Sequence, residues 1–432
     1  PSKALLRSAK LANELKKGEA LGFTGVQGQV DFPAVMQRIQ RVIADIEPHD
    51  SVERYSGLGV EVIQGEAKIL SPWSVEVNGQ TLTSRNLVIA AGARPLVPKI
   101  PGLEQVQSYT SDTVWSLREQ PRWLLVLGGG PIGCELAQAF QRLGSQVIQV
   151  ELAERLLPRE DADASELVLQ SLRSDGVDVR LQHRAERFEV VDGEQRMVAR
   201  RLDTGEEVTI AFDGLLLALG RVANVTGYGA EELGLTLRPN GTLETDEYLA
   251  TRFPNIYAVG DVTGPYQFTH VAAHQAWYAA VNALFSSFKR FKADYRVIPH
   301  CTFTDPEVAR VGLSEGEAQA QNTAYEVTRY GIDDLDRAIA DEAAHGYVQV
   351  LTEPGKDRIL GVTIVGEHAG ELLTEYVLAM KYNMGLNKIL GTIHSYPTMS
   401  EANKYAAGEW KRAHAPQGLL RWVERFHTWR RS

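Results

Sequence analysis

The sequence predicts an α/β chain of several domains, with a dinucleotide-binding unit near its middle and a separate α+β domain towards its C-terminal end. Three observations carry this. At "WLLVLGGGPIGCELAQAF" a short apolar strand runs directly into a G-x-G-x-x-G turn and then a helix. Two other buried-type strands, in "NLVIAAG" and "FPNIYAVGDVTG", also end in small residues and a turn. From about residue 293 the pattern becomes a run of strands followed by a run of helices, as in a segregated α+β domain.

The chain has 432 residues, enough for two to four domains. With 44% hydrophobic and 23% charged residues it can bury large cores. A formal net charge of −10 argues against nucleic acid as the main partner. No apolar run reaches the roughly 20 residues a membrane-spanning helix needs. Cys134 and Cys301 are the only cysteines, which makes neither a disulfide framework nor a metal site and suits a reducing cytoplasm.

The elements follow in order. Pro1 and Ser2 suit the first turn of a helix, and Leu5, Leu6, Ala9 and Ala12 recur at helical spacing behind them. Helix continues to about residue 48, broken by the glycine-rich "LGFTGVQGQV". Three strands come next, "GVEVIQGEAKIL", "WSVEVNG" and "TLTSRNLVIAAG", the first two pairing through turn residues. "GARPLVPKIPG", with three prolines, reads as a linker. The dinucleotide unit runs from "RWLLVLGGG" to "LLLALGR". A strand, a turn and a long helix through "HVAAHQAWYAAVNALF" lead to the last domain, with strands at "VIPHCTF", "YEVTRYG", "GYVQVLTE" and "ILGVTIVG".

The glycine motif has a physical purpose at each position. Gly128 permits the tight turn, Gly130 lets a pyrophosphate approach the backbone, and Gly133 lets helix and strand pack closely. Gly129, Pro131 and Ile132 complete the loop, whose free N–H groups and helix dipole favour phosphate. The next strand ends at Glu151, 23 residues after Gly128. A carboxylate there accepts from ribose hydroxyls and repels a 2′-phosphate, so NADH is expected over NADPH. Ala91 and Gly92, and likewise Gly260 and Asp261, stand at C-terminal strand ends where α/β folds bind ligands. Together they imply a second large cofactor.

Seven segments, "PSKALL", "AAGARP", "GGGPIGCE", "ALGRVAN", "YAVGDVTG", "FTDPEVARVG" and "YPTMSE", stand in the order found in the flavin-dependent pyridine nucleotide–disulfide oxidoreductases. The chain resembles that family up to about residue 413, most closely its mercuric reductase and dihydrolipoamide dehydrogenase group. The resemblance implies two Rossmann-like three-layer domains, one for FAD and one for NAD, and a C-terminal α+β dimerisation domain. It divides the chain into an FAD-binding part at 1–108, an NAD-binding domain at 109–223 and a return to the FAD domain at 224–292. An interface domain at 293–413 and an amphipathic tail at 414–432 follow. It also implies a homodimer, with NAD(P)H as reductant and a disulfide or small molecule as electron acceptor.

The resemblance carries over to single residues. Lys3 resembles the lysine beside the flavin, and Glu135 its buried partner, which also lies in the NAD-binding helix. Ala67, Ala93 and the stretch Gln267, Phe268, Thr269 and His270 match FAD contacts, and Gly220 matches a contact near NAD. His270 and His274 share a helix face, but no third ligand accompanies them and no metal is expected. In the family "PSK" directly follows a Cys-x₄-Cys redox pair, which implies a segment upstream of Pro1.

The departures narrow the activity. Lipoamide-type reductases place histidine before "PT", with a glutamate five residues later to orient it. Here the position is Tyr396, and Glu401 remains. Lipoamide dehydrogenase is therefore disfavoured, and His394 is a candidate substitute base that more simply packs. The family's mercuric reductases end in a cysteine pair that "RWVERFHTWRRS" lacks. Alternatives are a disulfide-independent flavin diaphorase or soluble transhydrogenase, and a truncated chain that binds NAD but no flavin. In the tail, Leu419, Trp422, Val423, Phe426 and Trp429 fall on one helical face among Arg421, Arg425, Arg430 and Arg431. Docking on the protein's own dimer is the simpler expectation for it, and contact with a membrane surface the other.

Overall fold

The computed structural model describes residues 1–26, 28–264 and 266–431. Gln27, inside the predicted glycine-rich break, and Ser432, at the end of the predicted tail, lie outside the described residues. Two compact units are present: Pro1–Glu154 with Leu172–Tyr295, and Arg155–Ser171 with Arg296–Ser432.

The first unit opens with α1 (Ser2–Lys16), where the Pro1 carbonyl accepts from the N–H groups of Ala4 and Leu5 at 3.0 and 3.2 Å. Its buried face is Ala4, Leu5, Ala9 and Asn13. The second helix, α2 (Phe32–Ile46), starts on an Asp31 cap that accepts from Ala34 N–H at 3.0 Å, with Pro33 in the first turn. A short α3 (Val52–Gly57) follows.

Next comes an antiparallel sheet of β1 (Ala67–Ser71), β2 (Ser74–Val77) and β3 (Gln80–Thr83). Asn78 and Gly79, at φ 52° and 75°, make the tight turn between the last two. Two strand expectations are revised here. The first strand begins only at Ala67, and "TLTSRNLVIAAG" splits in two. Its polar Ser84–Asn86 step folds on itself, the Ser84 hydroxyl donating to the Asn86 carbonyl at 2.8 Å. The chain then leaves as β4 (Leu87–Ile89), and the predicted linker contributes β5 (Ala93–Pro95), which pairs antiparallel with Arg221–Ala223.

A five-stranded parallel sheet forms the centre of this unit, built from β6 (Ser108–Thr110), β7 (Trp123–Leu127), β8 (Gln146–Val150), β9 (Asp178–Arg180) and one later strand. Between β7 and β8 runs α4 (Pro131–Leu143), closed by Gly144 at φ 112°. The helix α5 (Ala162–Ser174) passes from one unit into the other. A meander of β10 (His183–Val191), β11 (Glu194–Arg201) and β12 (Glu207–Phe212) precedes β13 (Gly214–Leu217), and the sheet order is β6-β13-β7-β8-β9. The strand order therefore reverses beside β7, the topological switch point at which such sheets bind ligands. Leu125, Val126, Val150, Leu215 and Leu216 are fully buried, which is why these strands read as continuous apolar runs.

The remaining elements are β14 (Arg221–Ala223), β15 (Ile256–Ala258) and α6 (Thr269–Phe285). The parallel pairing of β15 with β4 brings their C-terminal ends together, with Val259 N–H donating to the Ile89 carbonyl at 2.9 Å.

The second unit is an antiparallel sheet of β16 (Pro299–Thr302), β17 (Glu307–Gly312), β18 (Glu326–Gly331), β19 (Tyr347–Thr352) and β20 (Ile359–Gly366), in the order β16-β17-β20-β19-β18. Its helices are α7 (Glu315–Ala320), α8 (Asp336–Ala340), α9 (Ala369–Lys381), α10 (Leu386–Leu390), α11 (Glu401–Ala413) and α12 (Gln417–Arg431). A core including Val350, Val362, Ile364, Tyr376, Ala402 and Trp410 joins the sheet to α9 and α11. The α/β fold with Rossmann-like sheets and a C-terminal α+β unit is the one the sequence predicts. Among the described residues no helix is long and apolar enough to cross a membrane.

Candidate functional site

The G-x-G-x-x-G turn sits at the end of β7, between its neighbours β8 and β13. Gly128 N–H donates to the Val150 carbonyl at 2.8 Å, and Ala218 N–H donates to the Leu127 carbonyl at 2.8 Å. The space around the three glycines differs. A Cβ on Gly128 would lie 2.4 Å from the Ala218 oxygen, at a backbone φ of 117°. One on Gly133 would lie 2.2 Å from the Gly128 oxygen, so α4 packs on the turn at backbone distance. At Gly130 nothing stands within 4 Å of that position, which leaves open approach over the start of α4, headed by Pro131 and Ile132. This open cradle at a helix N-terminus fits a dinucleotide pyrophosphate. Glu151 reaches the same loop, its carboxylate accepting from Gly129 N–H and, at 2.7 Å, from Ala153 N–H.

Beneath the turn lies Gln149, which no sequence motif singles out. It is fully buried on β8, and its amide donates to the Gly128 carbonyl at 3.0 Å. Cys134 packs beside it, also fully buried, and burial above all pushes its thiol up to about 12. A thiol so held is no nucleophile at neutral pH.

One turn along α4, Glu135 meets Lys3 from α1. The ammonium and the carboxylate are 2.7 Å apart across 132 residues of sequence. The glutamate side chain is 9% exposed and the lysine side chain 51%, so the pair joins a buried carboxylate to an accessible ammonium.

The second cluster lies where β4 and β15 end. Ala91, Gly92 and Ala93 follow β4, and Gly92 takes φ 65° with nothing within 4 Å of a Cβ there. Gly260, at φ 77°, and Asp261 follow β15. Asn224 binds this first loop twice, donating its side-chain amide to the Ala91 carbonyl at 2.9 Å and its N–H to the Gly92 carbonyl at 3.0 Å. Arg221 joins the two loops, donating to the Ala93 carbonyl at 2.6 Å and lying 3.6 Å from the Asp261 carboxylate. Burial raises the Asp261 carboxyl above its ordinary range, against the pull of Arg221. Gln275, fully buried on α6, accepts from Gly260 N–H at 2.6 Å and donates to Tyr295 at 2.8 Å. Gln267 donates to the Asp261 carbonyl at 3.3 Å, Phe268 stacks on His270 with ring centres 5.3 Å apart, and Thr269 starts α6. Two small-residue loops opening beside a half-buried carboxylate fit the sugar and phosphates of a second nucleotide.

The sequence also singles out Ala67, Gly220 and His274. Ala67 opens β1 in its own three-stranded sheet and is exposed. Gly220, at φ 108°, accepts from Leu96 N–H at 2.9 Å and has open space beside it. His274 packs edge-on against Tyr278 at 4.8 Å, and no group of metal-ligating side chains occurs among the described residues.

In the second unit Tyr396 does not bond Glu401. Its hydroxyl donates to Asp336 at 2.9 Å, and this bond with the Asp336 charge holds the phenol above its usual range. Glu401 is buried and accepts from Thr398 N–H at 3.2 Å and from Tyr405 at 3.3 Å. Both His394 ring nitrogens are engaged, Nε2 with Glu375 at 3.0 Å and Nδ1 with the Thr392 carbonyl at 3.1 Å. Asn403 donates to Glu375 at 3.0 Å and steadies the pair. His394 is thus a clamp on the loop that carries Tyr396.

The family model described as pyridine nucleotide-disulphide oxidoreductase matches residues 1–276, and that of the same family's dimerisation domain matches residues 298–407. A mercuric reductase of Bacillus cereus is 32% identical over 406 residues, covering 94% of this chain and 64% of the relative. A dihydrolipoyl dehydrogenase of Chlamydia muridarum is 30% identical over 417 residues, covering 93% of this chain and 85% of the relative. The chain thus spans just under two thirds of the Bacillus reductase and more of the Chlamydia enzyme. Among solved structures, the HOCl-induced flavoprotein disulfide reductase RclA of Escherichia coli superposes with a TM-score of 0.81 at 26% identity, covering 94% of this chain and 89% of that one. LpdA of Mycobacterium tuberculosis gives 0.83 at 26% identity, covering 94% and 88%. By sequence, by fold and by the length of the match, this chain belongs to the pyridine nucleotide–disulphide oxidoreductase family.

Proposed function

We propose that the chain is the working part of an FAD-dependent oxidoreductase that takes hydride from NADH, in preference to NADPH, and delivers electrons to a disulfide or another small acceptor. The observation that carries this is the Lys3–Glu135 pair at 2.7 Å, an accessible ammonium on a buried carboxylate beside the dinucleotide cradle. Bound flavin would supply the hydride acceptance and onward electron transfer that no side chain can perform. The protein's share is placement and charge. The Gly128–Gly133 turn and the α4 N-terminus would hold the NADH pyrophosphate, and Glu151 the adenosine ribose. The Ala91–Ala93 and Gly260–Asp261 loops would hold FAD, with Gln267–His270 at its edge. Lys3 would favour negative charge near the flavin, and Glu135 offsets the cost of holding that cation in a partly dry site.

Tyr396, kept protonated by Asp336, donates a hydrogen bond where a general base would have to accept a proton. That favours a second possibility, a flavin diaphorase or soluble transhydrogenase that needs no disulfide.

Anaerobic titration of the purified flavoprotein with NADH and NADPH tests the first proposal. Flavin reduction by NADH, slowed about a hundredfold in Lys3→Met, is the expected result. A preparation that binds no flavin overturns the whole proposal, and equal rates with both nucleotides overturn the NADH preference. Arsenite inhibition after NADH reduction would select the disulfide route, and resistance to arsenite the diaphorase or transhydrogenase.

A further inference from the structure

Past the region matched by the dimerisation-domain model, which ends at residue 407, the chain forms α12. No residue of this helix is buried. Leu419, Trp422, Val423 and Phe426 recur at i, i+3, i+4 and i+7 and share one face. Leu419 is 56% exposed and Trp422 62%, so large apolar surface faces outward. Trp422 and Phe426 stack at 5.8 Å, 9° from parallel, which makes the stripe continuous. Four arginines and one glutamate give Gln417–Arg431 a net charge of +3 in a chain of −10.

From this we propose that α12 lies flat on an anionic lipid bilayer, its aromatic stripe in the headgroup–acyl boundary and its arginines on lipid phosphates. An amphipathic helix with Trp, Phe and Leu on one face, three of its four arginines off that face and low overall hydropathy has the composition of an interfacial helix. The position of Arg430 favours lipid over a second copy of the chain. It follows Phe426 by four residues on the apolar face, and its guanidinium lies 5.8 Å from the Phe426 ring centre. Seating that face in a dry protein groove would bury the guanidinium, at a cost. At a bilayer surface the same side chain extends along the acyl boundary and keeps its charge at the phosphates. Charge complementarity acts in the same sense, each arginine near an anionic surface adding to the attraction.

Sedimentation of the full chain with vesicles provides the test, using phosphatidylcholine alone and equimolar phosphatidylcholine and phosphatidylglycerol. The wild-type chain should sediment with the anionic vesicles only, and less so as salt is raised. Arg421→Gln with Arg425→Gln should weaken binding roughly thirtyfold. Trp422→Ser with Phe426→Ser should abolish it, while circular dichroism and flavin content stay unchanged because no buried residue is touched. Failure of the wild-type chain to bind anionic vesicles at low salt overturns the proposal. So does unaltered binding by the Trp422 and Phe426 variant. A fall in solution mass of that variant without any vesicle binding by the wild-type would assign the stripe to a second copy instead.

Discussion

Glu151 has both carboxylate oxygens on backbone N–H groups, those of Gly129 and Ala153, so the acid proposed to select the ribose also holds the end of the glycine turn. Replacing it should therefore affect nucleotide binding in two ways at once. Glu151→Ala is expected to raise the NADH KM and to narrow the NADH over NADPH preference, each by roughly tenfold. Steady-state kinetics with both nucleotides check this, and an unchanged preference would remove Glu151 from the selection. At this scale the glycine turn was legible because its pattern is local, strand, glycines, helix and second strand following one another within one βαβ unit. Lys3 and Glu135 were legible only through resemblance, since 132 residues separate them and each alone reads as a surface lysine and a helix-start acid. Gln149 and Gln275 were not legible at all. A buried glutamine in an apolar strand or helix declares its purpose only when the backbone group it satisfies is known.

Among the elements, most strands emerged from apolar runs and turn residues. The proline-rich stretch concealed β5, because a three-residue edge strand can end in proline and lose no ladder bond that matters. The strand β17 lies inside a stretch noticed only as a motif, with Pro306 just ahead of it. What no periodicity foretold is that Arg155–Ser171 packs with the C-terminal unit. Its anchor is Glu160, 6% exposed, which accepts from Arg310 at 2.9 Å and lies 2.9 Å from His300. Burial works to raise the Glu160 carboxyl, but His300 and Arg310 outweigh it and hold it below the ordinary carboxylate value of 4.5. A depressed folded value means stability that is complete above about 4.5 and lost as pH falls through the lower value. Glu160→Ala should cost about 1–3 kcal/mol, because Arg310 keeps Glu317 but is left buried with one partner fewer. It should also flatten the loss of stability on the acid side. Urea melts of the variant and parent across that range would show both effects, and an equal acid slope in the two would overturn the linkage.

For the whole molecule, the matched dimerisation domain implies that part of the second unit is made to be covered. Leu378, Tyr382 and Ile393 are 53%, 69% and 95% exposed, large apolar side chains that a dimer interface would cover. Ile393→Asp is expected to shift the protein from dimer towards monomer in sedimentation equilibrium, and to lower activity with it. A dimer of parental affinity would place the interface elsewhere. The route of the chain has a consequence of another kind. It leaves the first unit after Glu154, returns at Leu172 and leaves again after Tyr295. The two units are laced together covalently at three points, so no single nick can free either one whole. A fragment starting at Arg296 would retain every strand of its sheet yet lack Glu160, one of the two carboxylates that its buried Arg310 was folded between. Recombination that swaps the C-terminal unit between relatives at one crossover must leave this stitch behind, and successful exchanges should carry Arg155–Ser171 along with it.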